Sequence, residues 1–191
     1  LTAAGIGGLA VGFGAQNLVK DVISGFFIIF ENQYNIGDYV EIAGVSGMVE
    51  ELGLRVTQLR DFGGQLHIIP NGEVALVTNN SRGIMRALVT VAVAYEENID
   101  RVISVLEREL QKLKVSNSNI VEGPTVLGVS ELGKSEVVIT ILARTKSMQQ
   151  WAVERQIRKA ALEIFAREGI EIPYPRTIYI NQEKKGGATD L

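Results

Sequence analysis

Residues 1–30 read LTAAGIGGLAVGFGAQNLVKDVISGFFIIF, and no charge appears among them before Lys20. At about 1.5 Å per residue, a helix over residues 1–19 would nearly cross a bilayer's hydrocarbon core, which takes about 20 apolar residues. Placed around a helix at about 100° per residue, the side chains separate into faces. Thr2, Ile6, Leu9, Phe13, Gln16 and Lys20 share one stripe. Ala3, Gly7, Ala10 and Gly14 line one flank, Gly5, Gly8, Gly12 and Ala15 line the other, and Val11 and Leu18 close the back.

Each glycine in a helix interior costs about 1 kcal/mol relative to alanine, so this many call for close contacts between backbones. Small residues permit such contacts between membrane helices. Two small flanks let each helix receive a neighbour on either side, as a closed ring of identical helices requires. The stripe then faces the ring axis, with polar Thr2 at one end and Gln16 and Lys20 at the other. This predicts a homo-oligomeric pore pinched at Leu9 and Phe13, and apolar constrictions of this kind gate by dewetting. Two other readings compete: a buried core helix of a soluble protein, and a dinucleotide loop, because Gly5 to Ala10 fits G-x-G-x-x-A. The loop needs a preceding strand, and only four residues come before Gly5.

The remaining composition narrows the chemistry. A length of 191 residues suffices for one or two domains with proper cores. A net charge of −3 and a pI near 5.3 argue against a dedicated nucleic-acid binder. With no cysteine there is no disulfide, thiolate metal site or cysteine nucleophile, and a single histidine, His67, excludes multi-histidine zinc sites. Mean hydropathy of +0.15 is high for a soluble protein, and the excess lies at the front. The chain starts at Leu1 without a basic leader, so it reads as a chain entered partway, with earlier membrane segments expected upstream.

Along the chain, Lys20, Asp21 and Ser24 interrupt the apolar run over residues 18–30, a pattern suited to an interfacial helix. Asn17 or Gly25 is the expected bend between the two helical segments. Polar ENQYNIGD follows, and residues 37–80 read as a small all-β, Sm-like domain. It contains a Val45-Ser46-Gly47 turn, a Gly63-Gly64 break and a Pro70-Asn71-Gly72 turn. Residues 88–180 alternate in the order β-α-β-β-α-β, the ferredoxin-like arrangement. Its first helix, capped by Asn98, carries Ile99, Val102, Ile103, Leu106, Leu110 and Leu113 on one face. The second, with Ser147 as cap and Gly169 as stop, runs through Trp151, Ile157, Ala161, Leu162 and Phe165. Residues 181–191 form a polar tail. The fold class is thus a membrane α-helix plus α+β.

These residues resemble the bacterial small-conductance mechanosensitive channel family. The motifs are Gly8-Leu9-Ala10-Val11-Gly12 with Gln16, Gly37-Asp38-Tyr39-Val40, Gly44-Val45-Ser46-Gly47, Pro70-Asn71-Gly72, Asn80-Ser81-Arg82 and Ile172-Pro173-Tyr174-Pro175. The resemblance implies a homoheptamer of the cell inner membrane with a cytoplasmic C-terminal domain. It implies opening by bilayer tension and release of ions and small solutes on hypo-osmotic shock, with membrane lipid as partner and no enzyme chemistry or cofactor. It places Leu9 and Phe13 on two constriction rings that are leucine in the family, Gly5, Gly8, Ala10 and Gly12 on its small-residue helix-packing positions, and Asn17 at the family's hinge glycine. It also implies at least two transmembrane helices before the pore helix.

The other chemistry-bearing residues have plainer explanations. Glu50-Glu51 and Glu96-Glu97 are adjacent carboxylates that point apart, so no catalytic residue is assigned. His67, beside Ile68 and Ile69, reads as a packed or surface histidine rather than a metal ligand. Arg55, Arg60, Arg82 and Arg86 either form a basic surface or pair with the many glutamates, and pairing is the favoured reading. The rival from another class is a soluble nucleic-acid-binding or interaction protein with a buried N-terminal helix. Against it stand the acidic pI and the lack of an aromatic stacking pattern.

Overall fold

A computed structural model describes residues 2–174 and the side chains of residues 8, 9 and 11–174. The expected last strand near Ile178 and the tail lie outside the described residues, as do the side chains of Gly5 and Ala10. The chain divides into two compact units. One comprises the chain up to Met85 with Thr145–Trp151, and the other Arg86–Arg144 with the chain from Ala152 onward.

The first unit opens with α1, Thr2–Phe30. The expected two segments are one uninterrupted helix, because neither Asn17 nor Gly25 removes a backbone donor from the i to i−4 ladder. Five strands follow, β1 (Tyr39–Ile42), β2 (Val45–Leu52), β3 (Val56–Arg60), β4 (Leu66–Pro70) and β5 (Val77–Asn79), in the sheet order β4-β3-β2-β1-β5. All four pairings are antiparallel. Ile42 pairs with Val45, leaving Ala43-Gly44 as a two-residue hairpin loop with φ of 50° and 77°. Positive φ at both positions is the geometry that matches strand twist. The sequence expectation of a turn at Val45-Ser46-Gly47 is therefore corrected: those residues belong to β2, one step further on. Alternation along β1 to β4 buries Val40, Ile42, Val49, Leu59 and Ile69 together with Tyr34 and Ile28.

The second unit contains β6 (Met85–Val93), α2 (Ile99–Ser116), β7 (Ile120–Leu132), β8 (Val137–Thr145) and α3 (Gln150–Glu168), with sheet order β6-β8-β7. Placing the third strand of the unit between the first two agrees with the ferredoxin-like expectation. The Asn98 side chain accepts the N–H of Arg101 and caps α2. Val102, Val105, Leu106 and Leu110 of α2 meet Val89, Ile139, Ile141, Val153, Ile157 and Phe165 in one core. α3 does not start at Ser147. Met148 holds φ at 64°, outside helical geometry, and the helix begins at Gln150. It ends as expected: Gly169 takes φ of 67° and Ile170 N–H bonds the Phe165 carbonyl, a Schellman closure. Leu162, assigned to the apolar face from its spacing, is exposed, and Trp151 instead lies edge-on to Tyr39 within the first unit.

Candidate pore stripe and its anchorage

The two halves of α1 have opposite relations to the rest of the chain. At residues 8, 9 and 11–20 the helix is almost wholly exposed, with Leu9 at 64% and Phe13 at 75%. A Cβ built on Gly8, Gly12 or Gly14 would meet nothing within 4 Å. Those glycines therefore serve no contact among the described residues. Gly8, Leu9, Gly12, Phe13, Gln16 and Val19 line one shallow groove along the helix. The stripe and one small flank are thus side by side and unoccupied by any part of the described chain. Val11–Phe30 is a stretch long and apolar enough to cross a membrane.

From Asp21 onward one face is anchored. Asp21, Gly25 and Ile28, spaced by four and three, point to one side. Asp21 is buried and its Oδ1 accepts the N–H of Gly72 at 3.0 Å. Gly25 lies against the β2–β3 turn so closely that a Cβ would stand 1.9 Å from the Leu54 carbonyl oxygen and 2.4 Å from Asn71 Nδ2. Ile28 enters the core of the β sheet. Gly25 thus has a defined packing role in this structure, where the sequence offered it as a bend.

The receiving surface is a buried polar network. Asn71 is fully buried, and its Nδ2 donates to the carbonyls of Gly53 at 2.8 Å and Leu54 at 2.9 Å. Thr57 Oγ1 donates to Asn71 Oδ1 at 2.8 Å, and Tyr34 Oη lies 2.9 Å from Thr57 Oγ1. Since the Thr57 proton is committed to Asn71, Tyr34 is the donor. Burial pushes the Tyr34 phenol above its ordinary pKa. The Pro70-Asn71-Gly72 motif therefore folds as a 3₁₀ turn, Asn71–Glu73, that holds the β2–β3 turn with one side chain and α1 with one backbone N–H.

The end of α1 is braced separately. Arg82 Nη1 donates to the Asn32 carbonyl at 2.6 Å and Nη2 stands 3.2 Å from Asp38 Oδ2. That carboxylate also accepts from Asn79 Nδ2 at 2.9 Å and the Asn35 N–H at 3.1 Å. Burial tends to raise the Asp38 pKa, but the Asn79, Asn35 and Arg82 contacts outweigh it, and the group is held below its usual range. Motifs 42 residues apart, Gly37-Asp38-Tyr39 and Asn80-Ser81-Arg82, thus meet, with Ser81 Oγ accepting the Tyr39 N–H.

The remaining candidates resolve individually. Arg60 binds both oxygens of Glu50 at 2.8 Å, and Glu51 accepts from Gln58. Glu97 accepts the Glu171 N–H. His67 Nε2 lies 3.0 Å from Asp61 Oδ2, and the hydrogen bond from His67 lowers the Asp61 pKa. Arg60 and Arg82 are paired, whereas Arg55 and Arg86 make no salt bridge among the described residues. Sequence reasoning missed Asp21 and the Tyr34-Thr57-Asn71 network. The available signal was one carboxylate inside an apolar run, at helical spacing from Gly25 and Ile28.

A membrane-length helix anchored to an antiparallel β unit, in a chain that continues into an α+β unit, is the class this architecture defines. Residues 17–82 match the family described as "Mechanosensitive ion channel, beta-domain", and residues 87–172 match "Mechanosensitive ion channel MscS, C-terminal". The chain belongs to the MscS family of mechanosensitive ion channels. It is 53% identical over 185 residues to the small-conductance mechanosensitive channel of Caldanaerobacter subterraneus subsp. tengcongensis, covering 97% of this chain and 66% of that protein. It is 32% identical over 176 residues to the moderate conductance mechanosensitive channel YbiO of Escherichia coli, covering 91% of this chain and 24% of that protein. The chain thus spans just under two thirds of one relative and about a quarter of the other. Helicobacter pylori MscS in its closed state superposes with a TM-score of 0.82 at 23% identity, over 96% of this chain and 73% of that one. Wild-type MSL1 of Arabidopsis thaliana gives 0.75 at 22%, over 92% and 63%. At such identities the likeness is one of fold.

Proposed function

We propose that this chain supplies the pore helix and following domains of a homo-oligomeric channel that bilayer tension opens, releasing ions and small solutes on hypo-osmotic shock. The observation that carries this reading is the outward-facing first half of α1. Leu9 and Phe13 are exposed beside glycines that touch nothing among the described residues. Apolar side chains and bare backbone left open together are satisfied by neighbouring copies of the same helix, since small residues let membrane helices approach closely. Gly5, Gly8, Ala10 and Gly12 are the packing positions of that ring, and Leu9 and Phe13 form its hydrophobic gate. A buried soluble helix, the rival reading, would have these residues covered.

The family supplies the rest. The small-conductance channel of Caldanaerobacter is the relative whose name carries the activity over to this chain. A heptamer in the cell inner membrane, with the β and α+β units on the cytoplasmic side, is the assembly in this reading, with membrane lipid as the source of tension. The reading assigns no catalytic residue, cofactor, metal or nucleic-acid partner. With Gly25 packed on Leu54, Asn17 is the position at which α1 bends when the ring forms.

Patch recording of the full-length protein in liposomes tests this directly. Leu9→Ser places a hydroxyl in the apolar seal, so it opens at lower tension than the parent. Gly8→Leu blocks the flank and prevents oligomer assembly. Unchanged tension threshold in the first variant, or normal assembly in the second, refutes the stripe-and-flank assignment.

A further inference from the structure

We propose that Phe62 is an assembly knob: it seats in the recess beside Leu76 of the next copy and locks neighbouring β units edge to edge. The lock rests on the homo-oligomeric ring of the proposed function and holds whichever residues line the pore. Phe62 lies at the tip of the β3–β4 hairpin and is fully exposed. Phenylalanine carries a large apolar surface that is favourably removed from water.

The loop that carries Phe62 is tied down. The Asp61 N–H donates to the Gln65 carbonyl at 3.0 Å, the Gly64 N–H to the Asp61 carbonyl at 3.1 Å, and the Gln65 N–H to Asp61 Oδ1 at 2.8 Å. The other carboxylate oxygen of Asp61 lies 3.0 Å from His67 Nε2. Arg60, held by Glu50, donates through Nη1 to the Gly64 carbonyl at 3.0 Å. A tip fixed in this way loses little freedom when a neighbour covers it, so the ordering cost of binding is small.

The matching recess lies at the opposite edge of the sheet. Ile42, Ala43, Ala75 and Leu76 line a hollow of about 200 Å3 together with Glu41 and Glu73, and Leu76 itself is exposed. Neither carboxylate makes a salt bridge among the described residues, and the positive edge of an aromatic ring suits such oxygens. In the sheet order β4-β3-β2-β1-β5 the hairpin belongs to one edge and the hollow to the other. Arg60 pairs with Met48, so the chain beyond it runs toward Gly47 and Ser46, and Gly47 stands beside the Asp61 nitrogen. Ser46 is level with Glu41, and Glu41 with Thr78, which also lines the hollow. Knob and hollow thus share one end of the sheet at opposite edges, where a copy placed alongside brings them together. A contact between unlike surfaces is head-to-tail, and rotation closes it into a ring. Because α1 is anchored to this same unit through Asp21 and Gly25, the copy that packs on its glycine flank is the copy whose β unit stands alongside.

Disulfide trapping of the full-length protein in liposomes tests the lock. These 191 residues contain no cysteine, so Phe62→Cys combined with Leu76→Cys introduces their only thiols, and the parent controls for any other. Oxidation of the double variant is expected to give a ladder of covalently linked subunits on reducing-agent-free gels. Each single variant, and Phe62→Cys combined with Leu54→Cys at the far end of β3, is expected to give none. Phe62→Ala is expected to release about tenfold more free subunit in detergent, with the circular dichroism of the subunit unchanged. If the ladder is missing while native gels show the parent as an oligomer, the ring stands and the Phe62 lock is overturned. If the parent is monomeric, the ring reading fails and the lock fails with it. Fluorescence of Phe62→Trp in a Trp151→Phe background covers the other occupant: quenching by brominated lipid would seat the knob in the bilayer and overturn the lock.

Discussion

Asp21 and Gly72 are 51 residues apart and joined by one hydrogen bond, the Gly72 N–H donating to Asp21 Oδ1 at 3.0 Å. A charged acceptor on a backbone donor is worth about 1.5–3 kcal/mol, more than a neutral pair. Asp21→Ala leaves that N–H without its acceptor and loosens α1 from the 3₁₀ turn. Hydrogen exchange at Gly72 is expected to quicken by tenfold or more, since about 1.4 kcal/mol is a factor of ten. Asp21→Asn, which retains an acceptor oxygen, restores most of the protection. Equal exchange in Asp21→Ala and the parent would remove this bond from the anchorage.

Gly25 tests packing against propensity. Alanine in place of a helical glycine gains about 1 kcal/mol on propensity alone. At Gly25 the new methyl would sit 1.9 Å from the Leu54 carbonyl oxygen, a backbone atom that cannot swing aside. Overpacking of this kind costs about 1–3 kcal/mol or more, so repulsion wins and Gly25→Ala lowers the thermal midpoint of the purified protein. Gly14→Ala, with open space around it in the chain, is the matched control: any loss it causes appears in oligomer assembly and not in the folding of the subunit.

How far these features could be read from sequence depends on the range of the interaction behind them. The α2 cap at Asn98 and the α3 stop at Gly169 are local, set by residues within one helical turn, and both stand where spacing placed them. The start of α3 was misplaced because a Met at positive φ carries no sequence signature, unlike the glycine at its far end. Gly25 was read as a bend because glycine has two uses, and only the position of Leu54, 29 residues on, decides between them. Asn71 looked like turn punctuation. Its burial and its three side-chain bonds come from strands that the sequence shows only as separate segments. On α1 the exposure of Leu9, Phe13, Gln16 and Lys20 together follows from helical periodicity alone, which fixes which residues share a face.

The Tyr34-Thr57-Asn71 network separates trimming a chain end from removing its hub. Tyr34→Phe deletes one donor at the end of the network, and Thr57 keeps its bond to Asn71, so the loss is about 1 kcal/mol. Asn71→Ala leaves the carbonyls of Gly53 and Leu54 without their donor in a part-buried site, at about 1–3 kcal/mol for each, and leaves Thr57 bonded only to Tyr34. Denaturant midpoints should therefore fall slightly for Tyr34→Phe and severely for Asn71→Ala. Equal losses would mean that Asn71 is not the hub.

Glu109 gives the α+β unit a pH dependence of definite sign. Its carboxylate accepts from Lys112 Nζ at 2.7 Å, Arg108 Nε at 3.0 Å and Arg167 Nη2 at 2.6 Å, the last of these on α3. The Lys112 bond first, then that of Arg108, with the charges of Lys112 and Arg167, lower its pKa from 4.5 to about 2. A folded-state pKa below the unfolded one means that folding favours the ionised form. The stabilisation is complete above pH 4.5 and is lost as pH falls from there toward about 2. Glu109→Gln removes the linked term, so the variant unfolds at a lower temperature than the parent at neutral pH. Its deficit shrinks through that acid window and closes near the bottom of it, as followed by circular dichroism of the purified protein. A deficit that stays constant from neutral pH to the bottom of the window would show that Glu109 acts by packing rather than by charge.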